Sequence, residues 1–484
     1  MKVDRVLIIT VLAAFVSLCS GPSSALAQHE AILRDLNNTR AVAGSAAIKS
    51  YELLFDAYLQ MTPPPFPISA DFNLKTIHPG MREWQQVAGW AESNAGMARA
   101  VIEAKSRRMI GLPYGRNNVK ASLRDANLVA DIGANGSLRD NRFPYLSAVD
   151  VIAAFVTAEA YRRFEAGQTA EALELILAHL VVCRQFCDRE FFVEKRHSLR
   201  MLDSALANMR DMMYLYHDRI TSEQYVHIAA SEIPFLRPDR NALFMPEGDR
   251  VLSEALIREV FDSRGQADRS KFPTTFAAIQ ASEAPLTQFG AAKRWAMIAE
   301  VHGSLDASLE RLTLVYDDWW RRWRVQEYDP ILDVPTQFSR VNPVRYAAVI
   351  YSMQNIEELF NLRKQLVVGV NGTALAAGLC AYRKTFGVYP SDHKMMYAQF
   401  VRKSSDIDPY DRSFGPMLYL LARDRRAIDT SYGRIWVEPN EAILYSIGQN
   451  HTDELAQRHT DDGINGDIVV WPPVTAVARQ QQRR

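Results

Sequence analysis

Between Pro343 and Gly387 the sequence reads as mostly one long helix with a hard stop. Its second part, NLRKQLVVGVNGTALAAGLCAYRKTFG (Asn361–Gly387), runs into Val388-Tyr389-Pro390. Glycine ends helices by taking the left-handed conformation, and a proline just beyond cannot continue one. Past this corner the helical period disappears. Asp406-Ile407-Asp408-Pro409-Tyr410 and Ser413-Phe414-Gly415-Pro416 read as turns. Met417–Ala422, Tyr432–Val437, Ala442–Ser446 and Ile468–Trp471 read as short strands. The pattern predicts a long helix laid across a small antiparallel sheet.

Upstream, helical periodicity dominates. Ile48, Tyr51, Leu54, Phe55, Tyr58 and Leu59 share a helical spacing within Ile32–Gln60, which Thr62-Pro63-Pro64-Pro65 closes. Trp84, Val87, Trp90 and Ala91 mark another helix within Met81–Arg108. Leu112–Asn141, rich in Gly, Asn and Asp, reads as a long surface connection. Pro144–Arg219 carries the strongest signal: two helices meeting at Ala166–Thr169, then a third over Leu199–His217. The first pair resembles a tetratricopeptide-type hairpin, without a regular repeat period. Thr221-Ser222-Glu223-Gln224 is a capping box for a helix ending near Ile233-Pro234. The polar run Asp262–Lys271 reads as a mobile loop, and Phe289–Glu327 as one helix whose Tyr316, Trp319, Trp320 and Trp323 pack together in a core. The expected fold class is mainly α, a helical-hairpin (repeat-like) body followed by a small α+β C-terminal unit. The expected divisions are a signal peptide at 1–27, the body at 28–342, the α+β unit at 343–475 and a disordered tail at 476–484.

The export reading rests on the first residues. Lys2 and Arg5 precede an apolar run, Val6–Ser17, and Ala25-Leu26-Ala27 offers a small-x-small cleavage site before Gln28. A retained membrane anchor is the competing reading, opposed by the shortness of the run. No later stretch approaches the ~18 uninterrupted apolar residues of a spanning helix, so no transmembrane span is expected after cleavage. The expected location is periplasmic or secreted. Lysine plus arginine and aspartate plus glutamate are equal at 56 each, which gives no electrostatic reason to expect nucleic acid. The expected partner is another exported or envelope protein. Cys183 and Cys187 share a helical face, where a bridge would staple a single turn, so they and Cys380 are expected as buried free thiols. Met209, Met212 and Met213 are expected as core filler.

The last quarter of the chain resembles the globular part of type II secretion major pseudopilins. The residues that carry the likeness are ALAAGLCAYRKTFGVYP (Ala374–Pro390), Asp408-Pro409, Leu444-Tyr445-Ser446-Ile447-Gly448, and Asp467-Ile468 near a tryptophan. In that family a helix ends at a glycine–x–tyrosine–proline corner, and the chain then forms a short sheet and finishes in a calcium loop. Two departures stand out. The module lies at the far end of an exported chain, so filament assembly is not expected. Gln449-Asn450-His451 occupies the place where the family carries an aspartate–glycine. The arrangement is also similar to exported bacterial proteins, common in planctomycetes, that join a helical-repeat body to such a tail.

Calcium takes six to eight hard oxygen ligands on a loop flexible enough to wrap it. Asp453, Asp461, Asp462 and Asp467 supply carboxylates, Asn450 and backbone carbonyls can complete the shell, and Gly463 and Gly466 permit tight turns. The alternative is a solvated acidic loop. His451 and His459 flank it without the fixed spacing a zinc site needs. The chain has no H-E-x-x-H, no G-x-S-x-G, no phosphate loop and no dinucleotide fingerprint. Two readings remain open: a non-catalytic exported scaffold or binding protein, and an enzyme whose pocket lies between the body and the C-terminal unit.

Overall fold

A computed structural model describes residues 22–67, 74–133, 140–236, 243–283, 290–325, 329–397, 399–413 and 415–482. Most of the expected signal peptide lies outside the described residues. Helix dominates, so the chain is mainly α with a small antiparallel component at its C-terminal end. The first helices are α1 (Pro22–Asn37), α2 (Tyr51–Leu59), α3 (Trp84–Ser93), α4 (Ala95–Ala104) and the short α5 (Ala121–Asp125). The hairpin of α6 (Tyr145–Glu165) and α7 (Thr169–Phe186) turns at Gly167, whose φ of +79° is open to glycine at little cost. Then come α8 (Phe192–Leu215), α9 (Ser222–His227), α10 (Ile233–Phe235), α11 (Gly248–Glu259), α12 (Lys271–Glu283), α13 (Ala291–Val301), α14 (Leu305–Arg324), α15 (Ala347–Ser352), α16 (Glu358–Phe386) and α17 (Val474–Gln482). The predicted capping box is present: Thr221 Oγ1 takes the Gln224 N–H, and Gln224 Oε1 takes the Thr221 N–H.

Helix α16 is the spine. It ends at Gly387, with φ +78°, where the sequence places its stop. By length and composition alone it is apolar enough to cross a membrane, but 78% of its most apolar window is buried within the protein. One side packs on α8, and the other on a three-stranded antiparallel sheet of order β1-β4-β5: β1 (Leu418–Leu421), β4 (Ala442–Ser446) and β5 (Ile468–Trp471). All five residues of the central β4 are buried. Glycines make this double contact possible. A Cβ on Gly372 would lie 2.5 Å from Val470 Cγ1, and one on Gly369 would lie 2.7 Å from Asp203 Oδ1 on α8. The hydrophobic core therefore runs from Leu206 on α8 through Leu375 to Leu444 and Trp471 without a break at the expected boundary near residue 343. A smaller core lies behind the sheet, where the hairpin of β2 (Arg426–Thr430) and β3 (Gly433–Val437) meets α17.

Several expectations are corrected. The stretch 476–484 is not a loose tail as far as it is described, since α17 runs to Gln482 and buries Val474, Ala476, Val477 and Ala478. The expected helix Phe289–Glu327 breaks at His302–Ser304, where Ser304 caps α14 by accepting the Ala307 N–H. The expected helix from Pro343 breaks between α15 and α16, with Asn355 Oδ1 taking the Glu357 N–H. As far as it is described, Leu112–Asn141 is more than a surface connection: Leu112, Tyr114, Leu123, Leu128, Val129 and Ile132 are buried. Asp262–Lys271 forms a closed turn in which Asp262 Oδ1 accepts the N–H groups of Arg264 and Gln266. Trp319 and Trp323 are core residues, but Trp320 faces outward under the Arg324 guanidinium. Arg322 turns inward instead and pairs with Asp318 at 3.0 Å. Cys183, Cys187 and Cys380 are buried and unbridged, and Met209, Met212 and Met213 lie in the core.

A buried ion pair organises the body. Glu194, in the first turn of α8, accepts from Tyr145 Oη at 2.6 Å, Tyr114 Oη at 2.8 Å and Arg189 Nε at 2.8 Å. Arg189 also donates to the Leu112 carbonyl at 2.5 Å. These contacts tie the 112–114 segment, the start of α6 and the start of α8 to a single carboxylate. Removing one partner of such a pair strands the other in the core, so Glu194→Ala is expected to cost about 3–5 kcal/mol by urea denaturation. Gly372→Val, which must push Val470 and β5 aside, is expected to cost at least about 2 kcal/mol. Gly89→Ala serves as the control. Its Cβ meets nothing within 4 Å on α3, and a gain of about 0.5–1 kcal/mol is expected.

Candidate functional site

The C-terminal loop is built around one buried aspartate. Asp408 Oδ1 accepts from Ser446 Oγ at 2.7 Å and from the Tyr410 N–H at 3.0 Å, and its Oδ2 accepts the Ile447 N–H at 3.0 Å. This holds the start of the loop against the turn after α16. Gly448 and Gly463, with φ of +70° and +67°, then let the two arms of the loop touch. A Cβ on Gly463 would lie 2.7 Å from the Gly448 Cα.

The five residues expected to surround an ion do not share partners. Asn450 Nδ2 donates to Glu454 Oε1 at 2.7 Å, so its amide holds a carboxylate. Asp453 Oδ1 accepts from Tyr445 Oη at 3.0 Å and the Leu455 N–H at 2.8 Å. Asp467 is fully buried, and its Oδ2 accepts the Ala456 N–H at 2.7 Å. Asp467 Oδ1 and Glu454 Oε2 are both buried with no hydrogen-bond donor among the described residues. Burial, together with the charges of Glu454 and Asp453, pushes the Asp467 carboxyl up. Asp461 turns elsewhere, to Lys75 Nζ at 3.0 Å and His459 Nε2 at 3.3 Å. Asp462 is exposed, and its Oδ1 accepts the Ile464 N–H of its own turn. Among the described residues no group of three or more His, Cys, Asp or Glu side chains is already drawn around one point. Asn450, Asp453 and Asp467 thus gather at Glu454, while Asp461 and Asp462 do not join them.

Asp461 belongs to a second feature, a charged seam between tail and body. A cavity of about 50 Å³ is lined there by Lys75, by Asp203, Arg210 and Asp211 of α8, by Gln365 and Gly369 of α16, and by His459 and Asp461. The Val469 N–H donates to His459 Nδ1 at 3.0 Å. The ring proton therefore sits on Nε2 and faces Asp461. Against the upward push of burial, His459 and Lys75 hold Asp461 well below the usual carboxylate range. From α17, Arg479 pairs with Asp211 at 3.2 Å and also donates to the Lys75 carbonyl. Arg210 donates to Thr373 Oγ1 at 2.7 Å and the Gly369 carbonyl at 3.3 Å, and burial lowers its pKa. Asp203 lies between Arg210 and Lys75, yet burial still raises it. Acid faces base throughout the seam. No protein-family model matches the chain. No curated protein and no solved structure is significantly similar to it either.

Chemically the seam can lock two parts together, and the loop can hold positive charge at two bare carboxylate oxygens. Sequence reading named Asp453 and Asp467 but missed Glu454, although it adjoins Asp453 in the same acidic run. Lys75, Asp203, Asp211 and Arg479 carried no local signal, because Lys75 and Arg479 meet only through the tertiary fold. Asp211 gives the seam a pH signature, since burial outweighs Arg479 and pushes its carboxyl up to about 6. An acid that holds its proton more tightly folded than unfolded supports the fold at the acid end and loses that support as pH rises. Stability is therefore expected to fall by on the order of 2 kcal/mol between about pH 4 and pH 6, with Asp211→Asn flattening that slope in denaturant titrations.

Proposed function

We propose that this protein is an exported, non-catalytic scaffold or binding protein: a helical body carrying a pseudopilin-like tail that calcium stiffens. The observation that carries the reading is the joint between the two parts. They share one core and a charged seam, Lys75–Asp461 and Asp211–Arg479. The space left between Lys75, Asp203 and Arg210 in the seam, about 50 Å³, is far below the roughly 300–1,000 Å³ of a small-molecule pocket, and the larger hollow of about 660 Å³ that His459 and Asp461 border lies on the loop side, against Asp429 and Asn465. Such a union supports presenting a fixed outer surface to another exported or envelope protein. Support for calcium comes from Asp467 Oδ1 and Glu454 Oε2, buried carboxylate oxygens without donors. Asp467 and Glu454 would hold the ion with Asp453 and loop carbonyls, and Asn450 would steady Glu454. The ion supplies the positive charge these groups lack and ties the loop to β5.

A second reading, an enzyme, has one observation behind it. A pocket of about 310 Å³ at the body–tail junction is lined by Arg322, Thr336, Glu357, Lys364, Tyr410 and His451, among others. Its volume reaches the lower edge of the small-molecule range.

Saturating calcium is expected to raise the melting temperature by roughly 2–4 °C, and a chelator to reverse the gain. Asp467→Asn should abolish that response. Without calcium it should melt no lower than the parent, because it removes a buried uncompensated charge. Titration calorimetry without heat on adding calcium, together with a melting temperature indifferent to chelator, would remove the calcium part. A metabolite whose binding is abolished by Glu357→Gln or Lys364→Met would favour the enzyme.

A further inference from the structure

We infer that the end of the molecule formed by the C-terminus of α16 and the turn after it is a docking surface for an anionic lipid bilayer. Phe386, Val388 and Met395 are 52%, 62% and 52% exposed, three large apolar side chains within ten residues. They are presented on a fixed frame. The Phe386 ring packs 4.5 Å from Tyr382 and 6.1 Å from Phe400, centroid to centroid. Gly387 takes the left-handed turn that sends Val388 away from the helix. His393 is buried and paired with Asp406 at 3.1 Å, which pins the short 3₁₀ turn His393–Met396 that carries Met395. Asp392 Oδ1 caps that turn by taking the Lys394 N–H at 2.9 Å. Holding apolar groups rigidly in water gains nothing for folding, and such patches mark interaction sites.

Charge selects the partner. Lys394 is exposed on the same turn as Met395, and Arg402 and Lys403 are exposed just after Phe400. On the segment from Ser391 to Lys403 the exposed charges are Lys394, Arg402 and Lys403 against Asp392, and on the last turn of α16 the half-exposed Arg383 and Glu441 pair with each other at 3.2 Å. Lys384 reaches the Asp218 carbonyl at 3.2 Å, and Ser222 meets Thr385 at 2.9 Å. Lys384 and Thr385 thus face the end of α8 and the start of α9, where Asp218 and Glu223 are exposed. Exposed apolar tips followed in the chain by exposed lysine and arginine fit the boundary of a negatively charged bilayer, where the apolar groups enter the interface and the cations meet phosphate.

The test is flotation of the chain from Pro22 onward, which keeps α1 whole and leaves out the apolar run Val6–Ser17, with vesicles of phosphatidylcholine alone or mixed with phosphatidylglycerol. Binding is expected to the anionic vesicles, at least about tenfold weaker to the neutral ones, and weakened by salt. The triple variant Phe386→Ser, Val388→Ser, Met395→Ser and the charge variant Lys394→Glu, Arg402→Glu, Lys403→Glu should each lose it. All six positions are exposed, and unchanged melting temperatures would confirm that both variants fold. Four results would overturn the inference: no flotation with either vesicle, equal flotation with both, binding that survives both variants, or sedimentation showing a dimer that the apolar variant disperses.

Discussion

The structure depends on how closely other groups approach the middle of α16. A helix can pack against a second helix on one side and a sheet on the other only if its own side chains do not hold both away. Gly369 and Gly372 meet that requirement, one against the Asp203 carboxylate and the other against Val470. Gly378 does the same one and a half turns on, against Val401. These positions let the core pass from the helical body to the sheet as one mass. They also place α8 and the C-terminal loop near enough for Asp211, Arg479, Lys75 and Asp461 to form a seam.

The two polar centres do different work. At Glu194 every contact runs within the body and fixes where α6 and α8 begin. At the seam, acids and bases come from four separate elements, and burial leaves Asp211 a poor acid despite its arginine. The first is an anchor inside the body, fixed by the Tyr114, Tyr145 and Arg189 contacts on one carboxylate. The second holds more weakly as Asp211 is forced to ionise. The C-terminal loop differs again, because Asp467 and Glu454 each keep an oxygen that no donor among the described residues reaches.

What could be read in the sequence follows the range of the forces involved. β4 and β5 fall where short apolar runs bounded by turn residues place them, and the end of α16 falls on Gly387 because the left-handed turn is a local demand. β2 was missed because Arg426–Thr430 is mostly polar and gains its pairing only from β3. The breaks before α14 and α16 were missed because apolar spacing continues across them, while the deciding contacts are single cap bonds at Ser304 and Asn355. Leu112–Asn141 was misread because glycine and asparagine outweighed apolar residues that are buried only when α1 and α8 close over them. The loop aspartates were legible as a group. Which of them would turn to Lys75, more than 380 positions away, was not.

Arg479 bridges α17 to Asp211 and to the backbone at Lys75. During synthesis the residues around Lys75 emerge long before their clasp exists. The early helices can collapse on Glu194, but the groove that receives the sheet stays uncovered until β5 and α17 have been made. A chain stalled before α17 would expose the inner face of its own spine.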